Sequence, residues 1–158
     1  MKIIIDSREQ LAFQFKPPKY RDVDVEIGAL PTGDYSLAGF EDRIAVERKS
    51  LDDLVGCLMN DQRERFEREL TRARPYDLFC VVVEASMEEI RNHSYRSLMK
   101  PRAVLQSIAA FQVRYRVPFA FCGNRAGAEY WTYSLLVKYL REIEERMSIL
   151  RTGQPIAV

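Results

Sequence analysis

Three residues within a short span carry the first chemical signal: Asp34, Glu47 and Lys49. Residues 33–37 and 43–49 flank Gly39-Phe40-Glu41-Asp42, a turn-like cluster, so the whole segment reads as a β-hairpin. With the turn centred between Phe40 and Glu41, paired positions sum to 81 and Asp34 falls opposite Glu47. Directly opposed residues hold their Cβ atoms about 4.5–5.5 Å apart. Two carboxylates that close repel unless a cation sits between them. All-oxygen ligation favours Mg²⁺ or Mn²⁺ over zinc. Lys49 lies two residues beyond Glu47 and projects from the same face of the strand. Such a set suits phosphodiester hydrolysis: the metal polarises the phosphate and acidifies water, and the ammonium stabilises developing charge or positions the nucleophile. Asp6, with Arg8 and Glu9 just beyond it, is a further candidate metal ligand with a phosphate clamp attached. The competing reading is a salt-bridge cluster on a solvated hairpin. A one-residue slip in register would turn one acid to the other face.

These groups need a rigid support, and the rest of the chain supplies its elements. Lys2–Asp6 is an isoleucine-rich run suited to a buried strand. Val23, Val25 and Ile27 alternate with acids and predict a half-buried strand stopping at Gly28. Ser50-Leu51-Asp52-Asp53 has the S-x-x-D form of a helix start. Apolar spacing from Leu51 through Phe66, Leu70 and Ala73 carries helix up to Pro75. Residues 78–84 form another buried strand, Pro101 opens a helix, 118–121 a short strand, and 126–150 a last helix. That helix spaces Leu136, Tyr139, Ile143, Met147 and Leu150 along one face. The predicted order is ββββαβαβα. It gives an α/β fold of one domain, a mixed β-sheet flanked by helices, over residues 1–147 with a short tail at 148–158.

Composition bounds the class. The chain has 158 residues, 47% hydrophobic and 30% charged, enough for one domain with its own core and too apolar for disorder. Charge is nearly balanced, 24 Lys+Arg against 23 Asp+Glu, which excludes a uniformly basic protein. Its distribution is uneven. Residues 1–53 hold eleven acids against eight bases, whereas 91–128 hold seven bases and no acid. A carboxylate-rich half beside a basic half suits a metal site next to a polyanion groove, and two ordinary solvated faces explain it as well. Tyr95, Phe111 and Tyr115 within the basic segment read as core, with base stacking the alternative. His93, the single histidine, matches no catalytic pattern. No apolar run is long enough for a bilayer and no signal-peptide pattern opens the chain. Cys57, Cys80 and Cys122 form no paired motif and read as buried thiols of a reducing cytosol.

The literal strings sharpen this. Asp6-Ser7-Arg8-Glu9, Gly33-Asp34-Tyr35 and Glu47-Arg48-Lys49-Ser50-Leu51-Asp52-Asp53-Leu54 resemble the nuclease domain of XPF-type structure-specific endonucleases. That family's core motif is G-D, a gap, then E-R-K-x-x-x-D, within the PD-(D/E)xK group of restriction-endonuclease-like fold. The resemblance spans roughly residues 1 to 145. It implies that Asp34 and Glu47 are the principal Mg²⁺ or Mn²⁺ ligands, helped by the Arg48 carbonyl and by Asp6, with Lys49 catalytic beside the scissile phosphate. It places Arg8 and Glu9 at the site's edge with Arg8 on phosphate, and counts Arg48, Arg63 and Asp53 among the DNA-contacting or motif positions. Asp53 reads equally well as part of the Ser50 helix cap. The implied reaction is metal-dependent hydrolysis of one DNA strand near a duplex–single-strand junction, by a homodimer formed through this domain. Two departures accompany it. The Gly-Arg pair expected after the first helix is Asp61-Gln62-Arg63 here, and the sequence contains no tandem helix-hairpin-helix module. The expectation is an intracellular, stand-alone DNA endonuclease of bacterial or phage type. The alternatives are a non-catalytic DNA-binding partner module on a nuclease fold and a hydrolase of small phosphoesters.

Overall fold

The computed structural model describes residues 1–153. Its elements are β1 (Lys2–Asp6), β2 (Asp24–Gly28), β3 (Tyr35–Leu37), β4 (Ile44–Lys49), α1 (Leu51–Gly56), α2 (Asn60–Arg72), β5 (Leu78–Val83), α3 (Met87–Arg91), α4 (Pro101–Tyr115), β6 (Phe119–Phe121) and α5 (Arg125–Thr152). The strands form one six-stranded sheet in the order β2-β1-β3-β4-β5-β6. Its pairings are mixed: β1 with β2, β4 with β5 and β5 with β6 are parallel, while β3 is antiparallel to both of its neighbours. The mixed sheet flanked by helices is the architecture the sequence predicts.

Helices on both faces bury the central strands, so β5 is a continuous apolar run and β4 opens with Ile44-Ala45-Val46 before its charged residues. The strand period divides them between two cores. Ala45, Val81 and Val83 pack with residues of α1 to α4, whereas Ile44, Val46, Cys80 and Val82 pack with α5 and the loop carrying Phe13, Phe15 and Tyr20. The alternation carries on past Val46. Glu47 and Lys49 therefore turn toward the α1–α2 side, and Arg48 toward the α5 side.

Four expectations about elements are corrected. β2 is an exposed edge strand and not half-buried, with Val25 41% and Ile27 63% exposed. The apolar run after Ser50 is two helices. The chain breaks after Gly56 through tight turns, and Asn60 takes a positive φ of 49° at the start of α2. A short helix, α3, is added, begun by a capping box of Ser86 and Glu89. Finally, α5 spans 28 residues, about 42 Å, and outruns a six-residue strand of about 20 Å. Only its first half packs on the sheet, through Ala128, Thr132 and Leu136, while Met147 and Leu150 are exposed. The tail expected from residue 148 begins within α5, and residues 154–158 lie outside the described residues. No helix among the described residues is long and apolar enough to cross a membrane. The cysteines are free, with Cys80 buried and Cys57 and Cys122 half-buried.

Candidate active site

The sheet's carboxylates meet at a cleft of about 720 Å³ between the C-terminal end of β4, the 6–11 and 31–34 loops, and α1 and α2. Asp34 stands at its floor because of the residue before it. Gly33 has φ 77°, and a Cβ there would lie 2.9 Å from the Ala45 Cβ, so a side chain would collide with β4. The hairpin register is the one counted from sequence: Tyr35 pairs with Val46. Asp34 lies just beyond that pair, its N–H donating to the Val46 carbonyl and its carbonyl accepting from Asp6 N–H. Its Oδ2 accepts the Arg48 N–H at 2.8 Å.

Glu47 is 5% exposed and is hydrogen-bonded by the Lys49 ammonium, which also sits 5.4 Å from the Phe66 ring centre. Burial pushes the Glu47 carboxyl well above its usual range, and the Asp34 charge adds to this against the pull of Lys49. Burial likewise pushes Asp34 up to about 6, with Glu9 adding and the Arg48 N–H and Lys49 opposing. Burial alone would lower the Lys49 ammonium, but Glu47 outweighs it and holds Lys49 above its ordinary value. A half-buried Asp34 and a buried Glu47 thus face one ammonium, which is bonded to Glu47. Among the described residues no group of three His, Cys, Asp or Glu side chains is ready-made to hold a metal ion. The donor set is the oxygen pair of Asp34 and Glu47, and it fits a hard divalent cation.

Other expected residues divide. Asp6 is 3% exposed and its carboxylate is fully engaged: Oδ1 accepts from Arg8 N and Nε, Oδ2 from Arg8 Nη2 and Leu30 N. Those bonds hold its pKa below the ordinary value against burial. Asp6 is a clamp on Arg8 here, with no oxygen left over for a cation. Arg8 itself is exposed at the cleft's edge, tied also to the Leu30 carbonyl. Arg48 departs from the expected DNA contact. Its side chain is 8% exposed and turned to the α5 side, where it pairs with Glu9 at 3.1 Å and Glu84 at 3.3 Å. Glu9 is correspondingly internal. Glu84 also binds Arg125, which holds the Leu11 and Ala12 carbonyls. Asp53 caps α1 with Ser50 and also lines the cleft.

Arg63 is not in the cleft. It lies over the Phe111 ring at 4.7 Å, pairs with Glu67 and reaches Ser107 of α4. The cleft-facing residues of α2 are Gln62, Arg65, Phe66, Glu69 and Arg72. Gln62, Arg65, Glu69 and Arg72 are not singled out from the sequence as site residues. The signal was available: steps of three and four from Phe66 mark the side that looks at β4. No base of the acid-free segment 91–128 lines the cleft either. Tyr95, Phe111 and Tyr115 are core, and His93 bonds Ser97 and stacks on Tyr95.

Comparison with known proteins identifies the family and the fold. The ERCC4 domain family matches residues 5–135. Among solved structures, XPF from Aeropyrum pernix is 25% identical, covering 98% of this chain and 70% of that chain at a TM-score of 0.67. XPF from Aeropyrum pernix in complex with DNA is 24% identical, covering 89% of this chain and 66% of that one, with a TM-score of 0.63. No curated protein matches. The fold is that of the XPF nuclease domain.

Proposed function

The chain belongs to the ERCC4 domain family, and from that membership we propose that it is a Mg²⁺- or Mn²⁺-dependent DNA endonuclease of the repair or recombination type. The observation that carries the reading is the half-buried Asp34 and the buried Glu47 in one open cleft, with the Lys49 ammonium bonded to Glu47. Asp34 and Glu47 would hold the cation, beside the Arg48 carbonyl between Glu47 and Lys49. The bound cation supplies charge neutralisation and a more acidic water. Lys49 sets an ammonium, kept protonated by Glu47, where phosphate charge develops. Arg8, immobilised by Asp6 and the Leu30 carbonyl, offers a guanidinium edge to a neighbouring phosphate. Water attacks phosphorus in line, a P–O bond forms as the P–O3′ bond breaks, and the departing 3′ oxygen takes a proton. The products carry 5′-phosphate and 3′-hydroxyl ends.

Support for DNA as substrate comes from the fold shared with an XPF structure determined on DNA. Preference for a fork, flap or other branch belongs to the same proposal, as does an intracellular location. A homodimer is proposed through the half of α5 beyond the sheet, where Met147, Ile149 and Leu150 are exposed. Light scattering that gives only the monomer mass of 18.4 kDa at micromolar concentration would remove that part. The deciding experiment is cleavage of labelled fork, duplex and single-stranded DNA with Mg²⁺, Mn²⁺ or EDTA. Cutting that needs metal, Asp34 and Glu47 supports the enzyme. Binding without cutting would favour a non-catalytic module, and turnover of only small phosphoesters a different hydrolase.

A further inference from the structure

Glu69 stands on α2 one turn beyond Phe66, on the same side as Gln62 and Arg65, and lines the cleft with Asp34, Glu47 and Lys49. Its charge reaches all three: it opposes ionisation of Asp34 and Glu47 and favours the Lys49 ammonium. Yet among the described residues the Glu69 side chain makes no hydrogen bond or ion pair. This sets it apart from its neighbours on the same helix, since Glu64 pairs with Arg68 and Glu67 with Arg63. A carboxylate in one cleft with Asp34 and Glu47 is repelled by both, and among the described residues only the longer-range charges of Lys49 and Arg8 offset that, with no direct partner. A second, independent sign of a missing polar occupant lies across the cleft. Thr32, on the 31–34 loop, is 3% exposed, and its Oγ1 has no hydrogen-bond partner among the described residues.

We infer that Glu69 is a third acid of the cation site, supplied by the helix opposite the sheet and acting on the ion through an intervening water. The inference rests on the nuclease reading above. No three acids converge directly among the described residues, and Mg²⁺ keeps several of its waters while taking one or two protein carboxylates. A water between helix and sheet lets Glu69 accept its hydrogen bond and the Thr32 hydroxyl find a partner. The role is one of positioning: Glu69 orients a water that Asp34 and Glu47 alone would leave free to rotate. It also explains why an acid is tolerated where three negative groups face one another.

The test is a calorimetric Mn²⁺ titration of the full chain without DNA, for wild type, Glu69→Gln and Arg65→Gln, with melting temperatures in EDTA. Glu69→Gln is expected to weaken Mn²⁺ binding about 10–100-fold and to melt, metal-free, at or above the wild-type temperature. Arg65→Gln, on the same face, is expected not to weaken Mn²⁺ binding. Equal Mn²⁺ affinity in wild type and Glu69→Gln overturns the inference and leaves the nuclease reading in place. A metal-free melting temperature well below wild type also overturns it, by giving Glu69 a structural role. Absence of Mn²⁺ binding by the wild type itself overturns the reading on which the inference rests.

Discussion

Arg48 and Asp34 meet through the backbone of one and the side chain of the other: the Arg48 N–H donates to Asp34 Oδ2 at 2.8 Å. The Arg48 guanidinium meanwhile points to the far side of the sheet, between Glu9 and Glu84. One residue thus fixes a candidate metal ligand on one face and ties β4 to β5 and the N-terminal loop on the other. Arg48→Met strips the partner from two largely buried acids, which costs on the order of 3–5 kcal/mol. Chemical denaturation would detect this as an early midpoint. Arg8→Ala, at an exposed site, should leave the midpoint nearly unchanged while weakening DNA binding.

Metal-free stability should fall with rising pH across the acid range. The Asp34 carboxyl is raised in the fold to about 6 from an ordinary 3.8, so between those values the native state holds a proton that the unfolded chain has lost. Its contribution is therefore most favourable below about 4, declines as pH rises to about 6, and stays low above that. Asp34→Asn removes the Asp34 share of this dependence and leaves that of Glu47, whose carboxyl burial also raises. Melting in EDTA at about pH 5 and about pH 7.5 should show a drop for wild type that is smaller in the variant. A wild-type protein more stable at the higher pH, with the variant unchanged, would contradict the assignment.

Added divalent cation should reverse that loss. At neutral pH, Mg²⁺ or Mn²⁺ in excess over its Kd by about 100-fold stabilises the native state by about 2.7 kcal/mol, provided it does not bind the unfolded chain. Asp34→Ala and Glu47→Ala should abolish both this shift and DNA cleavage, and melt no lower than wild type without metal. Lys49→Ala should keep much of the metal-dependent shift and still lose about 100-fold or more in cleavage, because it supplies charge to the phosphate. Retained native activity in either acid variant would sink the site.

Much of this site was legible because strands obey a period of two. Counting across the Phe40/Glu41 turn puts Tyr35 on Val46, and the parity of β4 separates Glu47 and Lys49 from Arg48. Motif strings do not report which way a side chain turns. Arg48 and Glu9 sit in a motif yet pair internally, because a basic side chain on the α5 face meets the buried acids Glu9 and Glu84 there. Asp6 is occupied because the turn after β1 brings Arg8 back over it. On α2 the alternating Arg and Glu hide the helix phase, which only the buried Phe66 and Leu70 reveal. The edge position of β2 and the overhang of α5 depend on sheet order and strand length, which no local pattern carries.

The two faces of α2 supply the sharpest contrast between neighbouring arginines. Arg63 lies over Phe111 and reaches Leu58 and Ser107, so it belongs to the packing of α2 on α4. Arg65 faces the cleft, and its side chain makes no ion pair or hydrogen bond among the described residues. Arg63→Ala should therefore cost about 1 kcal/mol in stability through the lost cation–π contact and leave DNA affinity alone. Arg65→Ala should do the opposite. It should weaken binding to any DNA sequence and lower the slope of log affinity against log salt by about one, the signature of one phosphate contact removed. Denaturation midpoints and binding isotherms at several salt concentrations read both effects on the same two proteins. If Arg63→Ala lowers the salt slope and Arg65→Ala leaves it unchanged, the DNA runs on the other side of α2, and the cleft at Asp34 is not its path.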